Sequence, residues 1–100
     1  MASFHHDGER RDALIYTLSA LGAFLEAPSP LPIGTKLELE MWFASRIVKT
    51  SAQVIYVNAP DASRRHCWPL GMAIVFESLS EKDERSVRRY IEGQTTRISV

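Results

Sequence analysis

Residues Lys36–Phe43 carry the clearest pattern in the chain: Leu37, Leu39, Met41 and Phe43 alternate with Lys36, Glu38, Glu40 and Trp42. A period of two puts one set on each face of an extended segment, which predicts a strand with one face in a core. Residues 47–57 continue in the same manner, with Val48, Thr50, Ala52, Val54 and Tyr56 on one side. Shorter apolar runs at 13–16 (ALIY), 23–26 (AFLE) and 70–76 (LGMAIVF) predict further strands. Gly71, inside the last of them, marks a bulge or a close backbone approach. The intervening segments have turn chemistry. Ala27-Pro28-Ser29-Pro30-Leu31-Pro32 fixes φ and removes donors at its prolines, Ile33-Gly34-Thr35 completes that turn, and residues 58–63 (NAPDAS) form a loop.

The period changes after Phe76. Ser80 is a good N-cap, and Glu81, Asp83 and Glu84 suit the positive end of a helix dipole. Leu79, Val87, Tyr90 and Ile91 share one side at helical spacing, Glu81–Arg85 and Glu84–Arg88 are i,i+4 pairs, and Gly93 is a natural stop. The fold class is therefore mainly β: a small antiparallel β-barrel of five to six strands, with one C-terminal α-helix over a mouth. The expected organisation is a flexible polar segment over 1–12, the barrel and helix over 13–93, and a tail over 94–100.

Composition narrows the function. A chain of 100 residues makes one domain. Twelve basic and twelve acidic residues cancel, so the basic excess of a general DNA or RNA binder is missing. Cys67, the single cysteine, has no partner for an intrachain disulfide, which favours a reducing, cytoplasmic setting. No apolar run approaches membrane-spanning length, so no membrane insertion is expected. His5 and His6 lack two further ligands at metal spacing. Catalysis is equally hard to assemble. Ser19 has no evident His partner, His66 and Cys67 are adjacent and would point to opposite faces of a strand, and no phosphate-binding Gly-rich loop occurs. The expectation is a non-enzyme with no catalytic residue, no metal and no cofactor.

The most specific stretch is Thr17-Leu18-Ser19-Ala20-Leu21-Gly22, a T-x-S-x-x-G followed by AFLEA, the proline-rich turn and IGTKLELE. Together with Ala52-Gln53-Val54-Ile55-Tyr56-Val57 and Gly71-Met72-Ala73-Ile74-Val75-Phe76, this order resembles the PilZ domain family over about residues 13–91. In that family a strand ends in [Asp/Asn]-x-Ser-x-x-Gly, and an R-x-x-x-R segment lies upstream. The resemblance implies a barrel of bacterial cyclic di-GMP signalling, with cyclic di-GMP as its ligand. Arginine forks would hold phosphates and guanine edges, and the Ser-Gly turn would meet the guanine. Ser19 and Gly22 match that pattern, and Thr17 replaces the acidic or amide residue. Losing that charge-assisted contact costs on the order of 1.5–3 kcal/mol. Arg10 and Arg11 are the only basic pair before the turn, and Leu14 breaks R-x-x-x-R.

The candidate nucleotide-binding residues are thus Arg10, Arg11, Thr17, Ser19, Gly22, Arg64 and Arg65, the last two standing beside an aromatic that could stack on a base. Trp42, on an otherwise polar strand face, and Trp68 are candidate protein contacts. The implied function is a regulatory module with weak or lost cyclic di-GMP binding. The alternative is an adaptor for signalling, motility or pilus and export proteins that does not bind the nucleotide. An incomplete barrel would also leave strand edges for a homodimer to cover.

Overall fold

The computed structural model describes residues 2–43, 46–60 and 68–98, with 94–98 as backbone. Six strands, β1 (Ala2–His6), β2 (Glu9–Leu18), β3 (Gly22–Glu26), β4 (Lys36–Phe43), β5 (Arg46–Asn58) and β6 (Gly71–Phe76), precede one helix, α1 (Glu81–Ile98). The strands close into an antiparallel barrel in the order β1-β2-β3-β6-β5-β4. β4 turns Leu37, Leu39 and Met41 into the core as its alternation predicts, against Phe4, Leu25, Val48, Val54, Met72 and Ile74.

The N-terminus corrects the expectation of a flexible segment over 1–12. β1 pairs with β2 on one side and β4 on the other, and Ala2, Ser3 and Phe4 are buried. Its hairpin turns at Asp7 and Gly8, whose φ angles of 51° and 75° are the left-handed pair that a tight two-residue turn needs. A polar run, His5 to Asp12, hides this strand because only Ala2 and Phe4 face inward. With β1 in place every strand has two neighbours, so the expected free edges, and a homodimer formed by pairing them, do not arise among these strands.

Two bulges break the period of two. Val54 pairs with Ile74 but Tyr56 pairs with Ala73, so Ile55 is an extra residue and Tyr56 moves to the outer face, opposite to the side its spacing predicts. In β2, Ile15 pairs with Leu25 but Thr17 pairs with Phe24, leaving Tyr16 as the extra residue. Gly71 is a close approach, as one reading of its sequence position holds. A Cβ there would collide with the Leu25 carbonyl oxygen and stand 2.9 Å from a Phe24 ring carbon.

Ser80 caps α1, its Oγ accepting from the Asp83 amide at 3.1 Å, and Arg88 pairs with Glu84 at 2.9 Å. Val87 is buried in the barrel core, Leu79 and Ile91 pack beside it, and the Tyr90 ring stands 4.7 Å from Phe43. Arg46 and Asp83, 3.3 Å apart, tie the first turn to β5. The helix runs through Gly93 to Ile98, which corrects both the expected stop and the tail over 94–100. Glycine costs a helix only about 1 kcal/mol, too little to end one by itself.

Two substitutions separate these glycine roles in urea unfolding followed by circular dichroism. Gly71→Ala is expected to lower stability by about 2–3 kcal/mol, because the collision is with backbone that has no rotamer to relax into. Gly93→Ala, where the added carbon meets nothing within 4 Å beyond its chain neighbours and the helix's own backbone, is expected to raise it by about 0.5–1 kcal/mol. Equal, near-zero effects would refute the packing argument.

Candidate functional site

The two bulges build a site on the outside of the barrel. Across β2, β3, β6 and β5 the registered row Thr17, Phe24, Ala73 and Tyr56 faces away from the core, with Tyr16 and Ile55 added by the bulges. Phe24 is nevertheless buried, because other rings cover it. Its centroid lies 5.2 Å from Trp68 and 6.1 Å from Tyr16, and Trp68 and Tyr16 are 5.4 Å apart. The rings meet tilted or edge to face, the arrangement their quadrupoles favour. Beside them opens a groove of about 710 Å³, bounded by Trp68, Ile55 and Tyr56 and by the 19–22 turn, with Ala73 and Gly22 as its small residues.

The turn organises itself. The Ser19 hydroxyl accepts from the Leu21 and Gly22 amides, each at 3.2 Å, and the Ser19 amide donates to the Gly22 carbonyl at 2.8 Å. The Phe76 amide donates to the Leu21 carbonyl at 2.9 Å and so pins the turn to β6. The hydroxyl is engaged inside the loop rather than held out to a ligand. Gly22 has an equally local cause: a Cβ would strike the Ile74 carbonyl oxygen across the β3–β6 pair. Leu21 projects from this rigid loop and is 77% exposed.

Four of the residues picked out by sequence, Thr17, Ser19, Gly22 and Trp68, therefore meet at one groove. Arg10 and Arg11 do not join them. They sit at the opposite end of β2, and from Arg11 to Thr17 the strand spans about 20 Å. Arg10 lies over the Trp42 ring, 5.5 Å from its centroid, and Arg11 binds Glu9 at 3.1 Å and the Ser29 carbonyl at 3.3 Å. Trp42 is half-buried under that guanidinium, and it is the neighbouring Phe43, not Trp42, that meets a helix ring. Arg64, Arg65, His66 and Cys67 lie outside the described residues.

Sequence reading missed Tyr16, Leu21, Phe24 and Ile55. Only the excess of exposed apolar residues around the Ser-Gly turn could have signalled them. Every described residue lining the groove is uncharged. No group of three or more His, Cys, Asp or Glu side chains among the described residues is placed to hold a metal.

A closed six-stranded barrel with a helical lid and an apolar external groove defines a small binding module. The profile of the PilZ domain family matches residues 1–93, and the chain belongs to that family. PilZ domains are modules of cyclic di-GMP signalling and are generally non-catalytic binding domains. No curated protein matches the chain. Among the described residues no helix is long and apolar enough to cross a membrane.

Ser19→Ala leaves two amides of the turn without their acceptor, and its expected cost is about 1–2 kcal/mol in global or local stability. Hydrogen exchange is expected to speed up at Leu21 and Gly22 while the core amides of β4 keep their protection. Unchanged exchange at both positions would show that the hydroxyl does not hold the turn.

Proposed function

We propose that this PilZ domain is a regulatory module that acts through protein contacts, with direct cyclic di-GMP binding weak or lost. The observation that carries this reading is the separation of Arg10 and Arg11 from the turn among the described residues. Arg10 and Arg11 stand a strand's length from Thr17 and are engaged by Trp42, Glu9 and Ser29. A cyclic dinucleotide brings two phosphodiester charges, and charge-assisted hydrogen bonds from guanidinium groups are the strong means of holding them. The described lining of the groove offers hydroxyls and apolar side chains instead.

Thr17 supports the same reading. Its hydroxyl can accept one hydrogen bond from a guanine edge but supplies neither a second acceptor nor a negative charge. The apolar groove, by contrast, suits side chains of a protein partner, whose burial releases water without the cost of stripping a phosphate.

Isothermal titration with cyclic di-GMP tests the proposal. The expected outcome is no saturable heat at micromolar ligand, and little change on Arg10→Ala or Arg11→Ala. Thr17→Asp is expected to strengthen residual binding by roughly tenfold to a hundredfold. Micromolar or tighter binding by the unaltered chain would overturn the reading.

A further inference from the structure

Ser3 is the odd residue of β1. Ala2 and Phe4 on either side of it belong to the core, so Ser3 faces outward. It is nevertheless 0% exposed, and its Oγ has no hydrogen-bond partner among the described residues. The register shows what covers it. Ser3 pairs with Asp12 on β2 and with Glu40 on β4. Arg10 lies two residues before Asp12 and Trp42 two residues beyond Glu40, so the line joining them crosses β1 over Ser3. Along that line the Arg10 guanidinium stands 5.5 Å from the Trp42 ring centroid.

This contact roofs Ser3 but leaves the oxygens around it unmet. The Arg10 guanidinium makes no hydrogen bond or ion pair among the described residues. Asp12 is exposed and equally unpaired there, and Lys49 reaches Glu40 only at 4.0 Å. A buried hydroxyl without a partner is costly, which marks the site as incomplete.

We infer that the outer face of Trp42 receives an arginine side chain of a protein partner, and that Arg10 is the intramolecular cation it displaces. This rests on the reading that the domain works through protein contacts, and it names the chemistry of one of them. The Trp42 ring already holds a guanidinium, so the structure itself displays the kind of group that fits. Charge points the same way. The positions registered with Ser3 and His5 on the neighbouring strands are Asp12, Arg10, Glu40 and Glu38, three carboxylates to one guanidinium. A partner's arginine brings this surface closer to neutrality. Its planar fork of five N–H donors can stack on the indole and meet hydroxyl and carboxylate oxygens together. Arg10 lies along the sheet from a neighbouring strand, whereas a chain from outside can descend onto Ser3 between Asp12 and Glu40.

Nuclear magnetic resonance of the whole chain, read at the indole N–H signals of its two tryptophans, tests the inference without nucleotide. The probe is a capped Gly-Arg-Gly peptide. The control is the same peptide with citrulline, which keeps the shape of arginine and loses its charge. The expected result is a saturable shift of the Trp42 signal at millimolar peptide, with the Trp68 signal unmoved and no response to citrulline. Arg10→Gln removes the competing cation and is expected to tighten binding roughly fivefold, since no part of the population is then held closed. Asp12→Asn, at an exposed position, is expected to weaken binding roughly threefold. No saturable shift at Trp42 in either the unaltered chain or Arg10→Gln overturns the inference. So does an equal response to citrulline, or weaker binding after Arg10→Gln in a protein that circular dichroism shows to be folded. Should Arg10→Gln fold poorly, Asp12→Asn decides, and unchanged affinity there overturns the inference as well. Tight cyclic di-GMP binding would instead overturn the preceding proposal and leave the Trp42 titration to stand by itself.

Discussion

β3 and β6 approach so closely at Gly22 and Gly71 that a single methyl group at either position would run into the carbonyl oxygen of the opposite strand. Much else in the structure follows from that contact. It fixes the register in which Ala23 faces Ile74 and Leu25 faces Met72, so all four point into the barrel while Phe24 and Ala73 point out. A slip of one residue would exchange the two sets and turn the core to solvent. The glycine of the Ser-Gly turn, which reads in sequence as bare backbone for a ligand, therefore has a sufficient cause in strand pairing.

With that register held, the bulges decide what the outer surface becomes. Each adds a residue to one strand, and the additions at Tyr16 and Ile55 fall on either side of the Phe24–Ala73 pair. The result is a second, smaller apolar cluster on the outside of the barrel. Trp68 belongs to it because buried Asn58 donates from Nδ2 to the Trp68 and Pro69 carbonyls, at 3.3 and 3.0 Å, and fixes the backbone that carries the indole. The same β5 thus contributes Val48 and Val54 to the interior, Tyr56 to the exterior and an anchor for the loop that precedes β6.

The parts of the fold legible in the sequence were those whose local pattern agreed with the tertiary result. β4 alternates without interruption, the Pro-rich turn follows from its missing donors, and the cap, acidic first turn and apolar side of α1 are read directly from Ser80 to Ile91. β1 is not legible because two inward residues, Ala2 and Phe4, give too short a pattern before a polar turn. Tyr56 was put on the wrong side because a bulge has no signature in a period of two. Gly93 does not end the helix because one packed through Val87 and Ile91 absorbs one poor residue. At the groove, the chemistry of Thr17, Ser19 and Gly22 was legible, and their aromatic neighbours were not. Phe24 and Trp68 meet only once the chain has folded, 44 positions apart in sequence.

Placing the arginines at the far end of β2 changes the physics of the groove as well as its chemistry. A phosphate-binding groove keeps its cations hydrated while empty, and its charges discourage association with another apolar surface. The described lining, which is uncharged, presents aromatic and aliphatic area to water at about 25 cal/mol for each Å² that a partner could cover. The rigid Ser19 turn strengthens the bias, since its polar groups are satisfied internally and ask nothing of an incoming ligand. What remains exposed at the turn is Leu21. On the proposed reading, an apolar side chain held out by a rigid loop is what a contact with another protein surface would use.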